Sequence, residues 1–272
     1  MRRRTVLTAA GAGAVAAVVG AVGADLLPVP GRVDRLLGGG PDPTAGIPTS
    51  APGQVRLEQR DSKARGRQVG FFSAVPAGHG DGRGLPVYLV LHGASATTAD
   101  FRRFGLGRFL TAAVTAGCPP VVLAGADGGR TFWAGDGAGD DPQRMLRDEL
   151  PVWCAELGFD SRRLAVYGWS MGGHGALRYA EQGPAPRAVA ALSPAVRGGD
   201  PVFTGLDRLA GTPVGLWCGL QDPLLGPVQA LAAQLRPAPE VASWQPGGHT
   251  REFWNRVTPA AFELVGRHLG AA

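Results

Sequence analysis

The chain has 272 residues, 44% of them hydrophobic, which suffices for one sizeable domain with a substantial core plus appendages. Its formal charge is +5, but Arg2, Arg3 and Arg4 stand in residues 1–24, which contain no acidic residue, so the remainder carries only +2. The other arginines are scattered, with no basic stripe and no interleaved aromatics, and Lys63 is the sole lysine, so a nucleic-acid-binding class is excluded.

Residues 1–24 read as an export signal. Arg3-Arg4-Thr5-Val6-Leu7 resembles a twin-arginine signal, an uncharged Ala/Gly/Val stretch runs from Thr5 to Ala24, and Val22-Gly23-Ala24 offers small residues for cleavage before Asp25. The expected location is outside the cytoplasm, in the cell envelope or secreted, with membrane contact only if the signal stays uncleaved. Residues 25–53 read as a linker, because Pro28, Pro30, Pro41, Pro43, Pro48 and Pro52 and the run Gly38-Gly39-Gly40 break any regular element. The catalytic domain is expected over 54–272.

Within that domain, strands and helices alternate. Val55–Gln59 and Gln68–Val75 read as two strands joined by a turn, and Pro86–Leu91 as a strand buried on both faces. A helical stretch carries Phe101, Phe104, Phe109, Leu110 and Val114, and Val121–Ala124 is the next strand. Asp141-Pro142 reads as an N-cap and first helical residue, leading a helix through Met145, Leu146, Leu150 and Trp153 to Gly158. Then come strand Leu164–Gly168, helix Met171–Gln182, and strands Val189–Leu192, Val214–Gly219 and Val241–Trp244, with helices over Val228–Leu235 and Ala260–Leu269. This alternation predicts an α/β fold with a mostly parallel sheet covered by helices on both faces. The connection from Pro194 to Thr212 is too short for a large lid.

With 43 glycines and eight serines, a Gly-x-Ser-x-Gly match means little alone. Ser170, however, stands where a buried strand gives way to a helix. A nucleophile on that sharp turn tolerates only small residues two before and two after it, and Gly168 and Gly172 occupy those places. A serine hydroxyl needs a base, and the base an orienting acid, which in this architecture follow the serine in chain order. Asp222 lies just beyond the strand ending "WCGLQDP", and His249 lies in "PGGHTREFW" after the last strand. His79, His92, His174 and His268 are less well placed. Oxyanion donors are expected from the Met171 N–H and from Ala94 or Gly93 in the loop after "VYLVLHGAS". Phe132 and Trp133, in a glycine-rich loop, are candidates to line the substrate cleft. Asp140, Asp141, Asp148 and Glu149 read as capping and surface charge. The three cysteines, Cys118, Cys154 and Cys218, allow at most one internal pair, no Cys/His spacing suggests a metal site, and no cofactor is implied.

The blocks "LVLHGA", "ADGGRTFWAGDGAGDDPQRMLRDELP", "YGWSMGGHGALRYA", "LSPAV", "CGLQDP" and "GGHTREFW" together resemble the esterase D-like family of α/β-hydrolases. Its relatives include S-formylglutathione hydrolases, feruloyl and acetyl-xylan esterases and mycobacterial mycolyltransferases. The resemblance spans roughly residues 55–270. It implies the α/β-hydrolase fold, with nucleophile, acid and histidine at Ser170, Asp222 and His249, acting on a small-molecule, lipid or sugar ester. It leaves open hydrolysis against acyl transfer of the mycolyltransferase or diacylglycerol acyltransferase type. A third reading, a non-catalytic envelope binding protein on the same fold, is disfavoured by the complete set of three residues.

Overall fold

The computed structural model describes residues 42–270. The expected export signal and the first part of the linker lie outside the described residues. From Asp42 onward the expected linker runs across the domain. The Asn255 amide donates to the carbonyls of Pro43 and Ala45, both at 3.0 Å, and Arg108 Nη1 donates to the Ser50 carbonyl at 3.1 Å.

Eight strands form one sheet: β1 (Gln54–Ser62), β2 (Arg67–Val75), β3 (Pro86–Leu91), β4 (Val122–Ala126), β5 (Asp160–Trp169), β6 (Val189–Leu192), β7 (Val214–Gly219) and β8 (Val241–Gln245). Their spatial order is β1-β2-β4-β3-β5-β6-β7-β8. The hairpin β1–β2 and the β2–β4 pair are antiparallel, and every later pair is parallel. This is the α/β-hydrolase fold.

The strand "PVYLVL" shows why the sheet needs cover on both sides. Val87, Leu89 and Leu91 join one core cluster, with Met145, Leu146 and Leu150, while Tyr88 and Val90 join the other, with Phe101, Leu106 and Phe262. The period of two in a strand sends neighbours to opposite faces, so an unbroken apolar run demands two cores.

Helices supply that cover: α1 (Asp100–Arg103), α2 (Leu106–Thr115), α3 (Pro142–Arg144), α4 (Leu150–Glu156), α5 (Met171–Gln182), α6 (Leu225–Gln234) and α7 (Arg251–Gly270). Asp141 caps α3 as expected, its carboxylate accepting the Arg144 N–H at 2.9 Å. Between α3 and α4 the chain widens into one π-helical turn over Met145–Glu149. The last helix begins at Arg251 rather than Ala260, and Pro259 lies inside it. Pro259 lacks the N–H that would continue the ladder, but Phe253, Trp254, Val257 and Phe262 are all buried, and their packing outweighs the lost bond. Between Pro194 and Thr212 the chain makes two short 3₁₀ turns, Pro201–Thr204 and Leu206–Leu209, and no large lid. Among the described residues no helix is long and apolar enough to cross a membrane.

Cys118, Cys154 and Cys218 are free thiols, and burial pushes both Cys154 and Cys218 up to about 12. Asp140 pairs with Arg65 and Arg67, Asp148 lies 3.5 Å from Arg144, and Glu149 accepts from the Ser62 hydroxyl and the Ala64 N–H. Asp140 and Glu149 tie the hairpin to the following loop and helix, while Asp148 pairs only along its own helical stretch.

Candidate active site

Ser170 joins β5 to α5 with φ 56° and ψ −123°, a conformation that L-residues adopt only under constraint. Three backbone hydrogen bonds hold it there. Its N–H donates to Leu192 O at 2.8 Å, and its carbonyl accepts from His174 N at 3.1 Å and Ala195 N at 3.0 Å. A Cβ added at Gly168 would stand 2.2 Å from Gly172 O, and one at Gly172 would stand 2.1 Å from Leu91 O. Both glycines are needed because backbone meets backbone at the turn.

His249 and Asp222 reach this turn from the loops after β8 and β7. His249 Nδ1 lies 2.9 Å from Asp222 Oδ2, and His249 Nε2 lies 2.9 Å from Ser170 Oγ. An ionised carboxylate only accepts, so the network assigns the ring proton to Nδ1 and leaves Nε2 to accept from the serine hydroxyl. Asp222 is buried, which by itself would raise its carboxyl. The hydrogen bond and charge of His249, the Leu224 N–H at 2.9 Å and the Ser193 hydroxyl outweigh that and hold it below the usual carboxylate range. Ser193 is itself fixed, with φ 43° and the Trp254 indole N–H donating to its hydroxyl at 3.1 Å. Trp254 also meets the His249 ring edge-on at 4.9 Å. Ser193 and Trp254 thus support the acid and the imidazole together. Ser193 carries no chemical signal in the sequence, whereas Trp254 is legible there as an aromatic close behind the histidine, equally able to pack beneath the site or to touch substrate.

His92 closes β3 and fixes the loop that follows. A carbonyl only accepts, so Nδ1 donates to Gly93 O at 2.8 Å, and Nε2 accepts the Gly128 N–H at 2.9 Å. Burial lowers its pKa, which favours the neutral ring that this pairing requires. Gly93 O also accepts from Ala96 N at 3.1 Å. In a trans peptide the N–H points opposite to the C=O, so anchoring Gly93 O turns the Ala94 N–H the other way. A Cβ added at Gly93 would be 2.9 Å from Trp169 Nε1 and 3.4 Å from Ser170 Cβ, so glycine lets this loop close on the Ser170 turn. The Met171 N–H opens α5 beside Ser170. A backbone N–H beside a hydroxyl that is hydrogen-bonded to imidazole can receive the negative charge of a tetrahedral oxygen.

Trp133 does not line the cleft. It is 0% exposed, in a left-handed conformation with φ 59°, and its indole N–H donates to His92 O at 3.2 Å. A Cβ at Gly128 or Gly175 would stand 2.5 Å from its ring, so two glycines distant in sequence make its slot. Its size is used beneath the site, to hold His92. Phe132, also left-handed at φ 55°, is half-buried and stands edge-on to His174 with ring centres 5.9 Å apart.

The family model described as "Putative esterase" matches residues 62–263. No curated protein matches the chain by sequence. Among solved structures, a ferulic acid esterase is similar at 20% identity, with 80% of this chain and 98% of that chain covered and a TM-score of 0.71. An S-formylglutathione hydrolase from Agrobacterium tumefaciens is similar at 17% identity, covering 82% of this chain and 98% of its own, with a TM-score of 0.67. Mycobacterium tuberculosis MPT51 (FbpC1) is similar at 16% identity, with coverages of 80% and 98% and a TM-score of 0.63. At these identities the structures speak for the fold. With most of its domain matched by the family model, the chain belongs to this esterase family, carboxylic-ester hydrolases of the α/β-hydrolase fold.

Proposed function

We propose that the protein is an exported serine esterase acting through an acyl-enzyme. Ser170 attacks the ester carbonyl as His249 Nε2 takes its proton, and Asp222 keeps the imidazole oriented and stabilises the imidazolium that forms. The Ala94 and Met171 N–H groups receive the oxyanion, with Gly93 giving the loop its close approach. His249 then returns the proton to the leaving alcohol, and water, deprotonated by the same imidazole, releases the acid. The substrate is a small-molecule, lipid or sugar ester. Residues 1–24 direct export, and the chain that follows leads into the catalytic domain.

The observation that carries this reading is the unbroken series from Asp222 to His249 to Ser170, at 2.9 Å for each step. It is supported by the strained φ of 56° at the serine, a conformation that gives a structural residue no advantage. The test is hydrolysis of p-nitrophenyl esters of increasing acyl length, with and without glycerol as acceptor, by the wild type and Ser170→Ala. Turnover to the free acid in the wild type, lost in the variant, is expected. Equal turnover by the two proteins would overturn the reading, and preferential acylation of glycerol would make the enzyme an acyltransferase.

A further inference from the structure

Arg251 begins α7 two residues after His249. Its guanidinium carbon stands 3.9 Å from the centre of the Phe104 ring, 4.2 Å from that of Trp169 and 5.1 Å from that of Trp254. Trp169 immediately precedes Ser170, and Trp254 is the ring that meets His249 edge-on. Aromatic side chains from three separate segments therefore hold one cation beside the Ser170–His249 pair.

Aromatic rings against a guanidinium occupy its faces and leave the N–H edges to hydrogen-bond. Among the described residues no acceptor takes those edges. Asp100, whose charge acts on Arg251, is already engaged, accepting from Arg103 Nη2 at 2.7 Å and from Thr97 N at 2.9 Å. Arg103 also stacks on Phe104, at 5.0 Å, so this corner carries two guanidinium groups against one carboxylate. Burial lowers Arg251 to about 10, still well above neutrality, so the charge persists. A partly buried cation that shares its nearest carboxylate with a second guanidinium and has no ion-pair partner of its own is costly to the free protein, and a structural filler would serve better as an apolar residue. The cost is offset when an anion binds.

We propose that Arg251 is a binding residue for a carboxylate carried by the substrate, so that the preferred ester is a half-ester of a dicarboxylic acid or bears an equivalent free acid group. The planar guanidinium fork matches a carboxylate through two parallel hydrogen bonds. The inference rests on Ser170 being the nucleophile of this cleft.

The experiment compares monoethyl adipate with diethyl adipate, which share an acyl chain and differ in charge, in wild type, Arg251→Met and Arg251→Lys. The readout is the ratio of the two kcat/KM values. The wild type is expected to favour the charged ester. Arg251→Met should reduce that ratio by at least about tenfold, mainly through KM, the scale of one charge-assisted hydrogen bond. Arg251→Lys should restore part of it. A ratio equal in wild type and Arg251→Met overturns the proposal, because a purely structural role would lower both rates together. Free adipate provides a readout without turnover. It should raise the melting temperature of the wild type and not that of Arg251→Met, and equal shifts, or none in either, overturn the proposal. Adipate binding without any ester turnover would fault the nucleophile reading and leave the subsite standing.

Discussion

Two histidine–carboxylate pairs flank the Ser170 turn, and their hydrogen bonds are nearly the same length. His249 lies 2.9 Å from Asp222, and His174 lies 3.1 Å from Asp200. Their surroundings are opposite. In the first pair the carboxylate is sealed at 0% side-chain exposure and the imidazole is 29% exposed; in the second the imidazole is at 7% and the carboxylate at 15%. The remaining ring nitrogen of His249 faces Ser170 Oγ at 2.9 Å, whereas that of His174 faces the Phe132 carbonyl at 3.2 Å. Asp200 also caps a 3₁₀ turn through the Val202 N–H at 2.9 Å. A His–Asp contact is thus not a site in itself. What the second nitrogen meets, and which partner reaches solvent, separates the proposed proton carrier from a clamp.

The widest separation should appear on removing each acid. Asp222→Asn is expected to lower kcat by about 10⁴-fold, because the amide disturbs the tautomer that leaves Nε2 free. Asp200→Asn should leave kcat unchanged and cost about 1–2 kcal/mol of stability through the lost His174 bond. Steady-state ester hydrolysis and thermal melts on both variants check this, and equal losses of activity would erase the distinction.

A smaller effect is expected at the loop opposite the histidine. His92→Phe removes the ring nitrogens that hold Gly93 O and the Gly128 N–H, and kcat should fall by on the order of 10²–10³ with KM little changed. Full turnover in this variant would mean that the Ala94 N–H is not an oxyanion donor.

Stability should follow the same geography. Gly172→Ala places a Cβ against Leu91 O at 2.1 Å, whereas Gly198→Ala meets nothing within 4 Å. The first should cost about 3 kcal/mol, the upper end for overpacking, and the second should be neutral in a denaturant melt.

The mildest prediction concerns the far end of α5, where burial pushes the Glu181 carboxyl from 4.5 up to about 7 despite its 2.6 Å bond to Arg178. The native state therefore keeps this proton when the unfolded chain has released it, so stability declines as pH rises from the unfolded value through about 7. Glu181→Gln, which mimics the protonated form, should raise the melting midpoint at pH 8 by roughly 2–4 °C and leave it unchanged at pH 5. Equal shifts at both values would show that the charge is not the cause.

Much of this architecture could be read from local patterns. Apolar runs such as "PVYLVL" and the Asp141-Pro142 cap carry their own signal, and Ser170, Asp222 and His249 stand out because strand ends and chain order limit where such residues can serve. The structure brings those three within hydrogen-bonding reach of one another. What could not be read depends on distant partners. Trp133 reads as a cleft residue until Gly128 and Gly175 are seen to form its slot. His92 reads as a strand end until Gly93 O and Gly128 N are found on either side of its ring. Arg251 is one charge among many until Phe104, Trp169 and Trp254 meet around it, and its helix begins nine residues before the expected start at Ala260.

The proposed mechanism depends above all on one serine hydroxyl being activated by the imidazole beside it. Reaction with a fluorophosphonate probe, followed by mass spectrometry of the labelled peptide, tests it most directly. One label per chain is expected, on Ser170, slowed by orders of magnitude in Asp222→Asn and absent in Ser170→Ala. Folded wild-type protein that takes up no label, or takes it up at another residue, would contradict it.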